Sequence, residues 1–422
     1  MTLTRRRPAR WPHAVPRYLL SDALSLLGNA VAAVALPWLV LVRTGDAAAA
    51  GVIAAAAAVP MLLAAVAGGV VIDRFGRRRT SVVADLASAA AVAAVPLVDA
   101  TLGLTIGAFI ALAVAGAVFD APGMTAREAL GPDVAAAAGV PLERLAGLRE
   151  GIAGAVLVVG PAIAGGLLLV LEPTTLLWAT AACSALAALT TATLPVRVGA
   201  GASSGRAGVR GALADLREGA AVLRGDRLLM TFTVVSVAGI GVLSALQGLL
   251  LPVHLAATGA PGVLGLVITF LALGGIAGAG LYAVAGSRWP RRPLFVGAQV
   301  VTAAGIVALA LLPPTPLLLG AAALAGLGSG PVSALVMVLV AERIPDAARG
   351  RAMGLQNAAV LAAAPVAMLA AGLLVESIGL RPTGMLVAGA WVVLVIATLA
   401  APALRSLEPR GAQEGVSSAD DR

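Results

Sequence analysis

Residues 68–81 read GGVVIDRFGRRRTS, an aspartate and four arginines set between two long stretches almost free of charge. Those flanking stretches decide the fold. The 422-residue chain is 60% hydrophobic and 12% charged, with mean hydropathy +0.99; a soluble domain is roughly half apolar and about a quarter charged. Runs of about 20 uncharged residues recur along it, each long enough to cross a hydrocarbon core of about 30 Å as a helix. Lipid offers backbone groups no hydrogen-bond partner, so only helices or closed barrels span it. The runs consist of Ala, Leu, Val and Gly with no alternation of polar residues, which predicts helices.

Cutting the chain at charges, prolines and glycines predicts twelve spans. Six lie at 18–42, 48–72, 80–99, 102–122, 145–171 and 174–195, and six at 228–256, 262–285, 294–312, 316–341, 350–377 and 381–404. The expected fold is an all-α integral membrane protein, with twelve transmembrane helices in two pseudo-symmetric six-helix bundles, 18–195 and 228–404. A basic N-terminus (1–17) precedes them, a cytoplasmic linker (196–227) joins them and a cytoplasmic tail (405–422) follows. The linker opens Gly/Ser-rich, and its portion ALADLREGAAVLR (212–224) has the pattern of a short amphipathic helix on the membrane surface. The halves echo one another. REALGPDVAAAAGVPLERLAG (127–147) is read as the loop after span 4 and AERIPDAARGRAMG (341–354) as the loop after span 10, while DRFGRRRTS (73–81) has a weaker counterpart in GSRWPRRPL (286–294). A 6+6 parallel repeat is a transporter architecture, with the substrate site expected between the halves.

All 29 basic residues are arginine. With the N-terminus inside, 26 of them fall on inside segments, Arg43 and Arg381 fall outside, and Arg149 falls within a span. Arginine bias near span ends sets orientation, so both termini are expected in the cytoplasm. The first apolar run, about 18–42, is too long for a signal-peptide core and has no clear cleavage site. The +8 net charge is accounted for by these short loops, and nucleic acid is not an expected partner. The lone Cys183 excludes an internal disulfide or a Cys-cluster metal site. His13 and His254 lie in or near loops, with no nucleophile–base pair in sight, so neither an enzyme nor a bound metal is expected.

In its loop and order of residues, Gly69-x-x-x-Asp73-Arg74-x-Gly76-Arg77-Arg78 resembles the loop 2–3 signature of the major facilitator superfamily. The resemblance covers roughly 18–404. Gly69 and Gly76 suit close helix approach and a tight turn. The resemblance implies that Asp73 meets span 11 of the opposite half and that the arginines pair with an acid at the end of span 4. Asp120, in AVFDAPG, is in place for that partner. These residues would form a latch that steadies one state of the transport cycle; the plainer reading is that the arginines only enforce topology. Span 5 carries Gly160-Pro161-Ala162-Ile163-Ala164-Gly165, followed by Gly166, similar to the Gly-Pro-x-x-Gly-Gly motif of drug/proton antiporters in this superfamily, with Ala164 in place of the first glycine of the closing pair. The arginine that many such antiporters carry in span 4 is missing from TIGAFIALAVAGAV (105–118).

Ionisable groups inside spans cost about 2.5–3.5 kcal/mol each near a helix centre and are functional candidates by default. Span 1 carries Asp22, Ser25 and Asn29, spaced to form one polar stripe facing a cavity. Arg149 and Glu150 enter span 5 from the same side, so Asp22 or Glu150 is expected to pair with Arg149. An acid that alternates between an arginine and a proton is a coupling device; a static salt bridge closing the inner side is the alternative. Asp85 is expected to brace the arginine-rich loop. In the second half Ser236, Ser244, Gln247, Met353, Gln356 and Asn357 are candidates for the substrate cavity. The reading is a monomeric transporter of a bacterial cytoplasmic (inner) membrane, exporting amphipathic or hydrophobic small molecules in exchange for protons by alternating access. It needs no cofactor, only the bilayer, its substrate and the proton gradient. A nutrient importer and a non-transporting receptor or scaffold are the rival readings.

Overall fold

The computed structural model describes residues 11, 13–195, 209–260, 262–285, 289–344 and 346–407. The segment 1–10, most of the linker's first half (196–208) and the tail beyond 407 lie outside the described residues. Every described element is a helix. Among the described residues, eleven helical stretches are long and apolar enough to cross a membrane, and α2 (Ala47–Phe75), with Asp73 and Arg74 its only charges, makes a twelfth. The chain divides into two compact units, one of residues 1–44 and 56–211 and one of residues 45–55 and 212–422.

The first unit holds α1 (Ala14–Thr44), most of α2, α3 (Arg77–Thr101), α4 (Ile106–Ala138), α5 (Leu142–Leu167) and α6 (Pro173–Ala192). Within it α1 packs on α4, α5 and α6, and α3 on α4 and α6. Small residues set how closely these helices approach: a Cβ at Gly160 would stand 2.6 Å from that of Ala30, and one at Gly123 2.8 Å from that of Ala84. The first belongs to the span 5 motif, which gives that glycine a packing role between α5 and α1.

Span 4 is longer than its charges suggested. The stretch read as a loop from Arg127 is helical as far as Ala138, and Arg127 stands inside α4. Ala126, Leu130 and Val134 recur every four residues and are wholly buried, Leu130 and Val134 against Tyr18 of α1 and Leu145 of α5. That buried stripe holds the helix together past Pro122 and Pro132, which membrane helices tolerate when neighbours satisfy the freed groups. Gly139, at φ +69°, ends it: its N–H and that of Val140 turn back to the carbonyls of Ala136 and Ala135.

The second unit holds most of α7 (Val209–Gly225), α8 (Arg227–Ala245) with a π turn (Leu246–Leu250) leading into α9 (Leu251–Ala257), and α10 (Gly262–Ala285). These are followed by α11 (Arg291–Ala310), α12 (Thr315–Arg343), α13 (Asp346–Ile378), α14 (Leu380–Ala400) and a 3-10 turn (Pro402–Ser406). Its tightest crossing joins α10 and α12. Gly274 and Gly278 on α10 face Gly326 and Gly330 on α12, and a Cβ at any of the four would run into backbone of the other helix. Two small-xxx-small stripes thus let two backbones touch. α7 includes the stretch expected to be amphipathic, and its Leu223 is buried with Leu229, Ile344 and Ala352.

Candidate functional site

Loop 2–3 turns on Gly76, whose φ of +81° lies in the left-handed region that favours glycine. The arginines beside it are tied down within the first unit. Arg77 Nη1 lies 2.9 Å from Asp133 Oδ2, and Arg78 donates to the backbone carbonyls of Thr191 and Ala192 where α6 ends. Arg74 stacks over the ring of Phe75. Gly69 lies within α2; the side chain of Asp73 lies outside the described residues. Asp120 is not the arginines' partner. Because α4 continues past 122, the acid at its end is Asp133, about 20 Å further along the helix at 1.5 Å per residue. The second unit repeats the brace: Arg291, at the start of α11, grips Glu342, near the end of α12, through two bonds of 2.7 and 2.8 Å.

Deeper in the first unit lie two clusters of charge. In one, Asp22 of α1 is 2% exposed and its Oδ2 accepts from Arg149 Nε of α5 at 3.1 Å. The other arm of Arg149 reaches Glu128 of α4 at 3.2 Å. One guanidinium therefore joins three helices. Of the two acids expected to pair with Arg149, Asp22 does so, whereas Glu150 is exposed and has no ion pair among the described residues. One residue along the helix lies about 100° around it, which turns Glu150 away from Asp22. Glu128 escaped the sequence reading because it was placed in a loop.

In the other cluster Arg127 of α4, 3% exposed, binds both carboxylate oxygens of Asp85 on α3 through Nη2. Asp85 therefore braces α4, not the arginine-rich loop: it points along the α3–α4 contact from two turns inside α3. The same pair shows that span 4 does carry an arginine, on the part of α4 beyond 122. Asp120 hydrogen-bonds Ser88, one turn beyond Asp85. Ser25 and Asn29 of α1 and Ser184 of α6 complete a narrow polar cleft around these groups, with room for about one water molecule. The polar stripe on α1 is thus divided: Ser25 and Asn29 line the cleft, and Asp22 is committed to Arg149.

The span 5 residues Pro161 and Gly165 are buried, and nothing stands within 4 Å of a Cβ built at Gly166. In the second unit Ser236 and Ser244 are half-buried on α8, and Gln247 sits within the π turn. On α13 Gln356 is half-buried, and Met353 and Asn357 are exposed.

Comparison with known proteins places this geometry. The sequence profile of the Major Facilitator Superfamily matches residues 18–257 and 235–420. The multidrug efflux pump Tap of Mycobacterium tuberculosis is 34% identical over 396 residues, covering 92% of this chain and 94% of the pump. Tap of Mycolicibacterium fortuitum is 32% identical over 384 residues, covering 90% and 94%. A variant of the nucleoside transporter NupG shares the fold with a TM-score of 0.76 at 14% identity, over 92% of this chain and 99% of that one. A bacterial homologue of the iron transporter ferroportin, in an inward-facing state, does so at 0.69 and 18%, over 92% and 99%. Twelve helical spans, a matching profile over nearly the whole chain and this shared fold make the chain a membrane transporter, not an enzyme, and a member of the Major Facilitator Superfamily.

Proposed function

We propose that this protein is a secondary active exporter that expels amphipathic or hydrophobic small molecules in exchange for protons, alternating its access between the two sides of a bacterial cytoplasmic membrane. The observation that carries the reading is the Asp22–Arg149–Glu128 cluster in a chain 34% identical to a multidrug efflux pump. A buried carboxylate held by a shared guanidinium is a group that takes a proton when the arginine moves to its other partner. Glu128 offers Arg149 that other partner at no cost in new contacts. Asp22 and Arg149 are then the coupling pair, with Glu150 outside it. Ser25, Asn29, Ser236, Ser244, Gln247, Met353, Gln356 and Asn357 supply neutral polar groups toward substrate, which suits ligands of low charge. The loop 2–3 residues Gly69, Asp73, Arg74, Gly76, Arg77 and Arg78 act as a latch on the cytoplasmic face, where both termini also lie. The working unit is a monomer.

The test is proton movement in proteoliposomes holding a pH dye, challenged with lipophilic cations, neutral antibiotics and sugars. Addition of an amphipathic compound is expected to trigger proton flux in the wild type and none in Asp22→Asn, while Glu150→Gln keeps the flux. Compound movement without a proton signal would reduce the protein to a facilitator, with Asp22–Arg149 a gate. Flux of sugars alone would favour an importer.

A further inference from the structure

Where α7 ends and α8 begins, the second unit carries a groove that the transport reading does not use. Arg224, in the last turn of α7, and Arg227, the first residue of α8, stand on it, and Met230, Ala401, Pro402 and Ala403 give it an apolar floor. Its volume is about 370 Å³, within the range of sites that hold small organic ligands. The groove is built, not incidental. Asp226 caps α8 through the N–H groups of Leu228 and Leu229, at 2.8 and 3.3 Å, and Arg343 ties Asp226 to the carbonyl of Ser406 in the 3-10 turn. Leu223 anchors the end of α7 in an apolar cluster beneath.

Asp226, between the two arginines in sequence, is committed to Arg343 and to two backbone donors. Arg224 and Arg227 are exposed and have no carboxylate partner among the described residues. Two such guanidinium groups therefore rim an apolar floor at the ends of two spans, α8 and α14, where a bilayer crossed by these helices would meet its headgroups. Guanidinium forks suit phosphate oxygens, and an apolar floor suits the first methylenes below them.

We propose that this groove binds an anionic glycerophospholipid, its phosphate held between Arg224 and Arg227 and its acyl chains starting over Met230 and Pro402. The lipid fastens the end of α7 to the membrane and so holds the linker helix against the second unit. The site is independent of what the protein transports.

Native mass spectrometry of the full chain released from detergent, with added phosphatidylglycerol or phosphatidylcholine, tests this. Each basic side chain near an anionic surface is worth about fivefold in binding, so Arg224→Gln with Arg227→Gln is expected to cut the ratio of phosphatidylglycerol-bound to free protein by about 30-fold. Arg217→Gln, an exposed arginine of α7 away from the groove, should leave the ratio unchanged, and the doubly lysine-substituted protein should retain most of it. If the glutamine pair does not fold, as judged by its melting temperature in detergent, Arg227→Gln alone decides the matter: loss of lipid supports the site, and full retention overturns it. Equal binding of phosphatidylcholine, undiminished phosphatidylglycerol binding in the substituted protein, or displacement of the lipid by millimolar inorganic phosphate would each overturn the proposal.

Discussion

A single carboxylate shows how charge is used at the basic end of this molecule. Burial works to raise the pKa of Asp226, but the bond from Arg343 and the two N–H groups of α8 outweigh it and hold the carboxyl below the usual range. Glu342 is held low by its bonds to Arg291. A depressed carboxylate contributes stability that is complete above its unfolded pKa, about 4, and is lost as pH falls through its lower folded value. Melting temperature in detergent should therefore fall as pH drops from 6 to 3, with a shallower slope in Asp226→Asn. Asparagine caps a helix as well as aspartate, so at neutral pH that variant should lose only the ion pair to Arg343, worth about 0–1 kcal/mol. Identical slopes in the two proteins would show that the carboxylate is not the titrating group.

Among the elements, the crossing of α10 and α12 is the most exacting. Gly278→Ile would drive a branched side chain into Pro331, whose Cδ lies 2.8 Å from the position of even the first added carbon, and into the α12 backbone. Overpacking of this kind costs about 1–3 kcal/mol or more, so Gly278→Ile should lower the melting temperature by several degrees, whereas Gly280→Ile, where nothing stands within 4 Å, should not. Equal melting of both would mean that the helices do not meet there. Elements of this kind mark the limit of what the sequence makes legible. The spans, loop 2–3 and the choice of Asp22 or Glu150 for Arg149 can be read directly, because a charge inside or beside a lipid-length apolar run has few explanations; the structure selects Asp22. The extension of α4 cannot, because Pro122, Pro132 and three charges mimic a loop, and only the packing of Leu130 and Val134 against Tyr18 reveals otherwise. With α4 cut short, Arg127, Glu128 and Asp133 are assigned to a turn that does not exist, and Asp85 is left without its partner. The four glycines of α10 and α12 have a readable spacing, but glycine is so abundant in this chain, at 50 residues, that spacing alone does not single them out.

At the scale of the whole chain, the arginine distribution predicts a direction that can be measured. In a Cys183→Ser background, Ser203→Cys should react with a membrane-impermeant maleimide in inside-out vesicles only, and Thr101→Cys in intact cells only; the reverse pattern would invert the orientation. The two units also differ in what they bury. Asp22, Asp85 and Arg127 are the buried charges among the described residues, and all three belong to the first unit; the second buries threonines, a glutamine and apolar side chains. Yet both carry the same arginine–acid brace, Arg77 with Asp133 and Arg291 with Glu342, between the start of one helix and the end of the next. A brace of one kind in both units pins the start of the third helix of each half to the end of the fourth, so the two halves fasten their inner corners alike. The buried charges, found among the described residues in the first unit only, make that half the one whose interior a change of protonation would disturb.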